Sequence, residues 1–187
     1  MASSNDFRNG MALRVDGKLV TIVDFQHVKP GKGGAFVRSK LKDVITGAVV
    51  EKTWRGGEKV EEVRLEKAGM QYLYRDGDMM IVMHPETFEQ ITIPVALLGD
   101  QLGYVKENDI VSVMMHDGAA IVAEAPNFVE LEVTQTDPGF RGNTATGATK
   151  PATLETGAEV QVPLFIEIGD VLKVDTRTGS YVERVRR

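Results

Sequence analysis

Short apolar runs separated by glycine turns constrain the fold of this chain more than any other feature of its sequence. Asp16-Gly17, Asp76-Gly77 and Asp117-Gly118 are Asp-Gly pairs, which favour the tight turns of β-hairpins. Turn signals recur about every ten residues, the spacing of small β-barrels. The apolar runs are Leu19–Phe25, Met79–Met83, Ile110–Met114, Val129–Val133, Val160–Ile168 and Val171–Val174. Only Pro94–Leu102 has the pattern of a helix, so the sequence predicts an all-β fold.

Residue composition agrees with this fold class and excludes several kinds of site. The chain has 24 Val and 12 Leu, and β-branched residues favour strands. It has no Cys, which excludes disulfides, thiolate nucleophiles and iron–sulfur clusters. His27, His84 and His116 are widely separated and form no metal-ligand pair, and neither a phosphate-binding P-loop nor an acid–base constellation is visible. We therefore expect no enzyme activity, no metal and no cofactor.

No membrane or export segment is visible in the sequence. The first residues lack a basic stretch followed by an apolar run. No stretch approaches the ~18 consecutive apolar residues of a membrane span. We therefore expect a cytoplasmic protein without membrane association.

The charge is distributed unevenly along the chain and suggests three domains. The net charge is −5, but residues 1–64 carry +4, residues 65–127 carry −7 and residues 128–187 carry −2. A weak repeat with an offset of 61 residues relates Tyr104–Val111 to Phe165–Leu172, as two similar β units would. The alternative is that β-hairpins simply look alike. We predict three small β-barrels in these three ranges.

One predicted hairpin ends in an isolated lysine. Its two strands are joined by Lys29-Pro30-Gly31-Lys32-Gly33-Gly34. Pro30 and Gly31 match the two central positions of a type II turn, which requires φ > 0 at the glycine. Lys32 would then project from the apex between glycines that cannot shield its amine. The alternative is a solubilising lysine in a flexible loop, which is the usual state of a surface lysine.

Three cations follow this loop on one face of the next strand. Arg38, Lys40 and Lys42 alternate with Ser39 and Leu41, and a period of two places all three cations on the same side. Such a stripe suits contacts with phosphates. An edge strand protected by lysines would have the same pattern.

The last domain contains two further candidate contact regions. The segment from Thr136 to Pro151 begins with a strong turn and is otherwise small and polar, so its backbone could lie along a nucleic acid. A flexible connection would have the same composition. Near the C-terminus an aromatic residue and three cations suit base stacking and phosphate contact, although a charged tail is the commoner explanation. These residues are Tyr181, Arg184, Arg186 and Arg187.

Together these elements resemble the bacterial elongation factor P family along nearly the whole chain. The C-terminal motif is the most specific, because it matches the family signature K-x-A-x(4)-G-x(2)-[LIV]-x-V-P-x(2)-[LIV]-x(2)-G at every fixed position. Its residues are Lys150, Ala152, Gly157, Val160, Val162-Pro163, Ile166 and Gly169. Further similar segments are Ser4–Arg8, Phe25–Lys42, Tyr72–Tyr74 with Asp76-Gly77, Glu86–Gln90, Pro126–Leu131 and Asp175–Val185.

The resemblance implies a fold and a function. The expected fold is an N-terminal SH3-like barrel of the KOW type in residues 1–64, followed by two OB-fold barrels in residues 65–127 and 128–187. The three would form an L shape that mimics tRNA. The expected function is a translation elongation factor that binds the 70S ribosome between the P and E sites. There it would stabilise peptidyl-tRNA, promote peptide-bond formation and relieve stalling at consecutive prolines, acting as a monomer.

The resemblance also implies roles for particular residues. Lys32 would point toward the peptidyl-transferase centre and the CCA end of the P-site tRNA. The turn that holds it would consist of Lys29, Pro30, Gly31, Gly33 and Gly34. The acceptor stem of that tRNA would contact Arg38, Lys40 and Lys42. Contacts to rRNA, the small subunit and the mRNA codon in the E site would come from Arg141, Gly142, Asn143, Thr144, Gly147, Lys150, Tyr181, Arg184 and Arg186.

Two points stay open at the level of sequence. Many family members extend the residue at the position of Lys32 by a post-translational modification, so a lysine-modifying enzyme is a further implied partner. The sequence does not distinguish β-lysylation, an aminopentanol-type extension and an unmodified lysine. The alternative function is that of a KOW/OB RNA-binding paralogue that acts on a different partner. No residues in the sequence support a third possibility, a small hydrolase.

Overall fold

The chain is built almost entirely from β-strands. The structure is a computed structural model that describes residues 1–139 and 147–186. Over these ranges the chain forms sixteen strands in three separate sheets, and its helices are three short 3₁₀ segments. None of these helices has the length and apolar character needed to cross a membrane. The all-β prediction is therefore confirmed.

The first sheet carries the predicted lysine hairpin. Its strands are β1 (Ala2–Ser3), β2 (Ala12–Val15), β3 (Lys18–Val28), β4 (Phe36–Asp43), β5 (Val49–Arg55) and β6 (Lys59–Glu62). They are ordered β1-β6-β2-β3-β4-β5, and a 3₁₀ helix at Ser4–Asp6 follows β1. The core of this sheet consists of Phe7, Met11, Leu13, Val20, Ile22, Val37, Leu41, Trp54 and Val60.

Trp54 lies at the centre of this core. Its indole Nε1 donates a hydrogen bond of 2.8 Å to Ser39 Oγ, so the buried N–H has a partner. The ring of Phe7 meets the indole edge-on, with 5.5 Å between ring centroids. These contacts connect the N-terminal segment to β5 and, through Trp54, to β4, the strand that follows the lysine loop.

The second sheet contains the predicted helical segment. Its strands are β7 (Glu66–Asp76), β8 (Met79–Met83), β9 (Gln90–Pro94), β10 (Ile110–His116) and β11 (Ala119–Glu124), in the order β11-β10-β7-β8-β9. The helix predicted at Pro94–Leu102 is divided into two 3₁₀ pieces, Val95–Leu97 and Gly99–Tyr104. Gly99, the first residue of the second piece, has a φ of +54°, so one continuous α-helix cannot run through this position.

The third sheet closes on itself. Its strands are β12 (Phe128–Thr136), β13 (Thr149–Leu154), β14 (Glu159–Pro163), β15 (Val171–Asp175) and β16 (Ser180–Arg184). Their order is β14-β13-β12-β15-β16, and the outer strands β14 and β16 contact each other, as in a barrel. The core consists of Val129, Leu131, Val133, Ala152, Leu154, Val160, Val162, Ile166, Leu172 and Val174.

One predicted strand is shorter than its apolar run. The sequence predicts a strand over Val160–Ile168, but β14 ends at Pro163. The backbone then turns, and the N–H of Ile166 donates to the carbonyl of Pro163 at 3.2 Å. Ile166 still enters the core with 0% exposure, whereas Phe165 and Ile168 are exposed. The prediction is wrong beyond Pro163 because a turn, and not a strand, brings Ile166 into the core.

The same kind of turn occurs once in the second sheet and once in the third, 61 residues apart as predicted. Asp109 accepts a hydrogen bond from the backbone N–H three residues before it at 2.9 Å, and Asp170 makes the same contact at 2.9 Å. The preceding residues, Asn108 and Gly169, have φ values of +74° and +91°. Each turn leads directly into a strand, β10 or β15. The 61-residue repeat therefore corresponds to a real structural repeat.

Two of the three Asp-Gly pairs form the hairpin turns predicted from the sequence. Both residues of Asp16-Gly17 and of Asp117-Gly118 have positive φ, as a type I′ hairpin turn requires. In the third hairpin Asp76 pairs with Met79, so the turn residues are Gly77-Asp78, one position later than predicted. A glycine with a φ of +59° then occupies the first central position.

The chain divides into two compact units. These are Met1–Glu66 with Met114–Val122, and Lys67–Val113 with the described chain from Ala123 onward. Within the first unit, the ring of His116 contacts the guanidinium of Arg14 at 3.1 Å and the backbone carbonyl of Arg64 at 3.2 Å. The finer division into 1–64, 65–127 and 128–187 stays a prediction.

Candidate functional site

The loop between β3 and β4 places Lys32 at the tip of a projecting hairpin. The ladder between the two strands ends at the pair Val28 and Phe36, and every residue from Lys29 to Ala35 is exposed. Within residues 1–139 and 147–186, no hydrogen bond or ion pair involves the Lys32 side chain. Its amine can therefore reach a partner outside the chain.

The turn at this tip differs from the predicted type II turn. Gly31 does not have a positive φ, and the left-handed residue is Gly33, with a φ of +109°. The prediction that Pro30 and Gly31 occupy the central turn positions is therefore wrong. The chain reverses over a wider loop, because seven residues separate the last paired residues of the two strands. Lys32 precedes the left-handed glycine directly.

The root of the hairpin is fixed by backbone contacts that the sequence did not reveal. The N–H of Gly56 donates to the carbonyl of Ala35 at 2.8 Å. A Cβ atom on Gly56 would lie 2.9 Å from that carbonyl oxygen, so only glycine fits this approach without a shift. The buried hydroxyl of Ser4 donates to the neighbouring carbonyl of Arg55 at 2.7 Å. The root is therefore anchored, while the tip has no such contacts. The Gly56-Gly57 pair was the one available signal of this close approach.

Replacing Gly56 with alanine is expected to destabilise the first sheet by about 1–3 kcal/mol, because the new methyl group overlaps a backbone oxygen. Gly34→Ala is the matched control, since no atom lies within 4 Å of its Cβ position and its φ is not positive. That control should change stability by less than about 0.5 kcal/mol. Urea unfolding followed by Trp54 fluorescence measures both, and equal stability of the two variants would contradict the proposed close contact.

An open groove lies beside the root of the hairpin. It is lined by Asn5, His27, Lys29, Gly34, Ala35, Phe36, Arg55 and Gly56. Lys29 and Arg55 are cations, and none of the lining residues is acidic. Such a surface suits an anionic group such as a phosphate. Sequence reasoning missed this groove because its residues come from four separate segments.

The cationic stripe occupies the exposed face of β4. Arg38, Lys40 and Lys42 are exposed, and the residues between them are buried, so the period-two prediction is confirmed. Strand β4 pairs with β3 on one side and with β5 on the other. The alternative of a protected edge strand is therefore wrong.

The centre of the stripe is flanked by acidic residues on the two neighbouring strands. Lys40 lies opposite Asp24 on β3 and Glu51 on β5, and both acidic residues are exposed. None of the ion pairs among the described residues joins these side chains. The guanidinium of Arg38 lies over the ring of Phe36 at 5.5 Å, which continues the cationic surface toward the groove.

Asp43 terminates this strand by binding the next loop. Its carboxylate accepts hydrogen bonds from the backbone N–H groups of Thr46 at 2.8 Å and Ile45 at 2.9 Å. The hydrogen bond from Thr46, with a smaller contribution from Ile45, holds the pKa of the Asp43 carboxyl below its usual value. The carboxylate of Asp43 is thus hydrogen-bonded to its own loop, and among the described residues it forms no ion pair with the cations of the stripe.

The candidate contacts in the third sheet fall into three groups. Arg141, Gly142, Asn143 and Thr144 lie outside the described residues. Gly147 and Arg186 are exposed. Tyr181 packs against the core of the sheet, and the aromatic ring next to Arg184 is Phe165, with its centroid 5.5 Å from the guanidinium. No sequence pattern indicates the pair of Phe165 and Arg184, because the two residues are far apart in the chain.

Lys150 is buried within the third sheet. The resemblance implies a contact with the ribosome, but Lys150 is only 7% exposed and its amine donates to the backbone carbonyl of Asp137. Gly139 lies against the carbonyl of Leu164 so closely that a Cβ atom would overlap the carbonyl oxygen. The Lys150 amine is therefore bound to the chain at Asp137, and its implied ribosome contact stays a prediction.

The site as a whole has the character of a binding surface. Within the described ranges, no three His, Asp or Glu side chains meet in an arrangement that could hold a metal ion. The exposed amine, the groove and the stripe lie along one hairpin. What this arrangement can do is bind and position a partner that carries negative charge.

Three family models match successive parts of the chain. The model described as "Elongation factor P (EF-P) KOW-like domain" matches residues 3–60, and "Elongation factor P (EF-P) OB domain" matches residues 65–123. The model "Elongation factor P, C-terminal" matches residues 129–184.

Relatives and solved structures agree with these matches. Elongation factor P of Acetivibrio thermocellus is 55% identical over 99% of this chain and 100% of its own length. That of Corynebacterium efficiens is 59% identical over 99% of both chains. Two solved structures share the fold. The eukaryotic translation initiation factor 5A from Methanococcus jannaschii has a TM-score of 0.50 at 22% identity, covering 66% of this chain and 94% of its own. A translation initiation factor eif-5a family protein from Naegleria fowleri has 0.53 at 15% identity, covering 67% and 94%.

The predicted architecture and the predicted resemblance are confirmed by these matches. A KOW-like domain is followed by OB-type β structure, and the identity to the relatives extends over nearly the full length. This chain belongs to the elongation factor P family and is a translation elongation factor that associates with the ribosome.

Proposed function

We propose that this protein binds the 70S ribosome between the P and E sites, stabilises peptidyl-tRNA there and stimulates peptide-bond formation at consecutive prolines. The observation that carries the proposal is the exposed, unpaired amine of Lys32 at the tip of a hairpin whose root is anchored. Lys32 lies four positions after Val28, so the backbone can reach at most roughly 14 Å beyond the last paired residue. The lysine side chain extends this reach into a narrow space.

Positioning is sufficient to explain the proposed effect. Proline is a poor nucleophile in this setting, and its ring restricts the chain that carries it. A factor that holds the CCA end of the P-site tRNA in place reduces the entropy lost on reaching the transition state. The factor then needs no general base of its own, because the ribosome performs the chemistry. The proposed role is therefore that of a binding protein, not of an enzyme.

The cationic surface next to the tip would make the proposed contacts with the tRNA. Arg38, Lys40 and Lys42 are exposed along β4 and would contact phosphates of the acceptor stem. The groove beside the root would accept a further phosphate or ribose group, since Lys29 and Arg55 line it. Phosphate contacts of this kind orient a nucleic acid without reading its sequence.

The third sheet supplies the proposed contacts to rRNA, the small subunit and the mRNA codon in the E site. These contacts would be made by Arg184, Arg186, Gly147 and the predicted segment 141–144. Tyr181 would support β16 from the core side. Lys150 would act indirectly, by holding the carbonyl of Asp137. We place the protein in the cytoplasm, where ribosomes translate, and expect it to act as a monomer.

The exposed amine of Lys32 is also accessible to a lysine-modifying enzyme. An extension of the side chain would lengthen the probe without disturbing the fold, because the amine has no partner within the described residues. The intact mass of the protein from its native host distinguishes β-lysylation, an aminopentanol-type extension and an unmodified lysine.

A reconstituted translation system tests the proposed function directly. Two templates are compared, one encoding three consecutive prolines and one with alanine codons in their place, each with and without the protein. We expect the protein to accelerate synthesis on the proline template and to leave the alanine template unchanged. Equal rates with and without the protein on the proline template would refute the proposal.

A further inference from the structure

The loop between β8 and β9 holds an exposed phenylalanine in an unfavourable backbone conformation. Phe88 has a φ of +59°, in the left-handed region that bulky residues rarely adopt. Its side chain is 68% exposed, so it does not fill the core of its own sheet. Strain of this kind persists where the surrounding structure imposes it, and it is concentrated at functional sites.

The rest of the loop is organised to impose this conformation. The N–H of His84 donates to the carbonyl of Glu89 at 2.9 Å, which closes the loop, and the N–H of Phe88 donates to the carbonyl of His84 at 2.9 Å. The ring nitrogen Nδ1 of His84 accepts hydrogen bonds from the N–H groups of Glu86 at 3.2 Å and Thr87 at 3.3 Å. The loop is therefore preorganised, and the exposed ring has a fixed backbone position.

The charges around the ring indicate the kind of partner. Glu86 and Glu89 flank Phe88 in the loop, and the segment 65–127 has 3 Lys+Arg against 10 Asp+Glu. An acidic surface repels phosphates, which argues against stacking of Phe88 on an RNA base. A rigid aromatic anchor with a glutamate on each side of it in the loop complements a protein surface that offers an apolar socket bordered by Lys and Arg.

We propose that Phe88 docks into an apolar socket on a cationic protein of the ribosome, with Glu86 and Glu89 pairing with basic residues at its border. This rests on the proposed binding to the ribosome and adds a second attachment point to it. The occupant is a protein, and contact of this loop with rRNA is the competing outcome.

A photo-crosslinking experiment on the full chain with purified 70S ribosomes tests the proposal. The photoreactive amino acid p-benzoylphenylalanine replaces Phe88 in one variant and Tyr74 in the control. Tyr74 is 50% exposed on the same sheet, and its backbone is not left-handed. We expect position 88 to crosslink to a ribosomal protein segment that contains Lys or Arg, with a higher yield than position 74. Crosslinks to rRNA, or equal yields at the two positions, would overturn the proposal.

Two substitutions separate binding from stability. Phe88→Ala and Phe88→Gly should each lower the affinity for 70S ribosomes at least about tenfold, measured by co-sedimentation. The melting temperature of Phe88→Gly should exceed that of Phe88→Ala by about 2–4 °C, since glycine relieves the positive φ. Unchanged affinity of both variants would overturn the docking role, and equal melting temperatures would overturn the strain on which it rests. A wild-type protein that does not co-sediment would instead refute the proposed function itself, and the docking site with it.

Discussion

Replacing Lys32 with alanine is expected to reduce the stimulation of proline–proline bond formation on the order of 10- to 100-fold, while binding to the ribosome changes little. The physical reason is that the amine has no partner within the described chain, so its removal leaves the fold intact and removes only the probe. Lys29 cannot substitute for it, because Lys29 lies beside the root of the hairpin in the groove. The measurement is the rate of diprolyl peptide synthesis with saturating protein.

Two control variants make this result interpretable. Lys59→Ala removes an exposed lysine on β6 that has no predicted role, and it should keep full activity. Arg38→Ala should weaken ribosome binding. The slope of log affinity against log salt concentration should become shallower by about 1, the value for one lost phosphate contact. A general RNA-binding protein would lose affinity in proportion to the cations removed and would treat all three positions alike. Equal effects of Lys32→Ala and Lys59→Ala would therefore favour the alternative function.

Replacing Phe7 with alanine is expected to lower the free energy of unfolding of the first sheet by about 3–5 kcal/mol. Phe7 is 5% exposed, and its ring contacts both Trp54 and Phe25 edge-on. Removing it leaves a cavity next to the indole and removes the aromatic contacts of the N-terminal segment with β5 and β3. The same variant should lose activity in diprolyl synthesis at temperatures where this sheet is unfolded.

The tryptophan supplies a local measurement for this prediction. The chain has 1 Trp, so its fluorescence reports unfolding of the first sheet without a signal from the other two. Val23→Ala is the matched control, because Val23 lies on β3 in the same sheet but is 41% exposed. It should shift the urea midpoint only slightly. A Phe7→Ala midpoint equal to that of Val23→Ala would show that the aromatic cluster does not hold this sheet together.

Local rules account for the parts of the fold that the sequence predicted correctly. Asp16-Gly17 and Asp117-Gly118 form the expected turns, because a positive φ at two successive residues is a local requirement that Asp and Gly satisfy. The exposed stripe on β4 follows from the period of two along any strand. The repeat is also readable, because the same turn residues precede β10 and β15.

Long-range contacts account for the parts that could not be predicted. The segments containing Ser4 and Gly56 meet at the root of the lysine hairpin only after the first sheet has formed, and the Gly56-Gly57 pair does not indicate by itself which segment it approaches. The third Asp-Gly turn moved by one residue because pairing of Asp76 with Met79 took precedence over turn preference. Left-handed backbone at Gly33 in place of Gly31 likewise reflects the width of the gap between the paired strands.

The sequence by itself determined the β class, two hairpin turns, the exposed lysine loop with its stripe of cations, and the family. These features depend on residues close together in the chain or on motifs that are read one residue at a time. Only the tertiary structure decided that Lys150 is buried and that Phe88 is strained and exposed. Burial of Lys150 depends on the segment around Asp137, which surrounds it only after the third sheet has formed. The left-handed backbone of Phe88 depends on hydrogen bonds within residues 84–89, and the residue types alone do not specify their geometry.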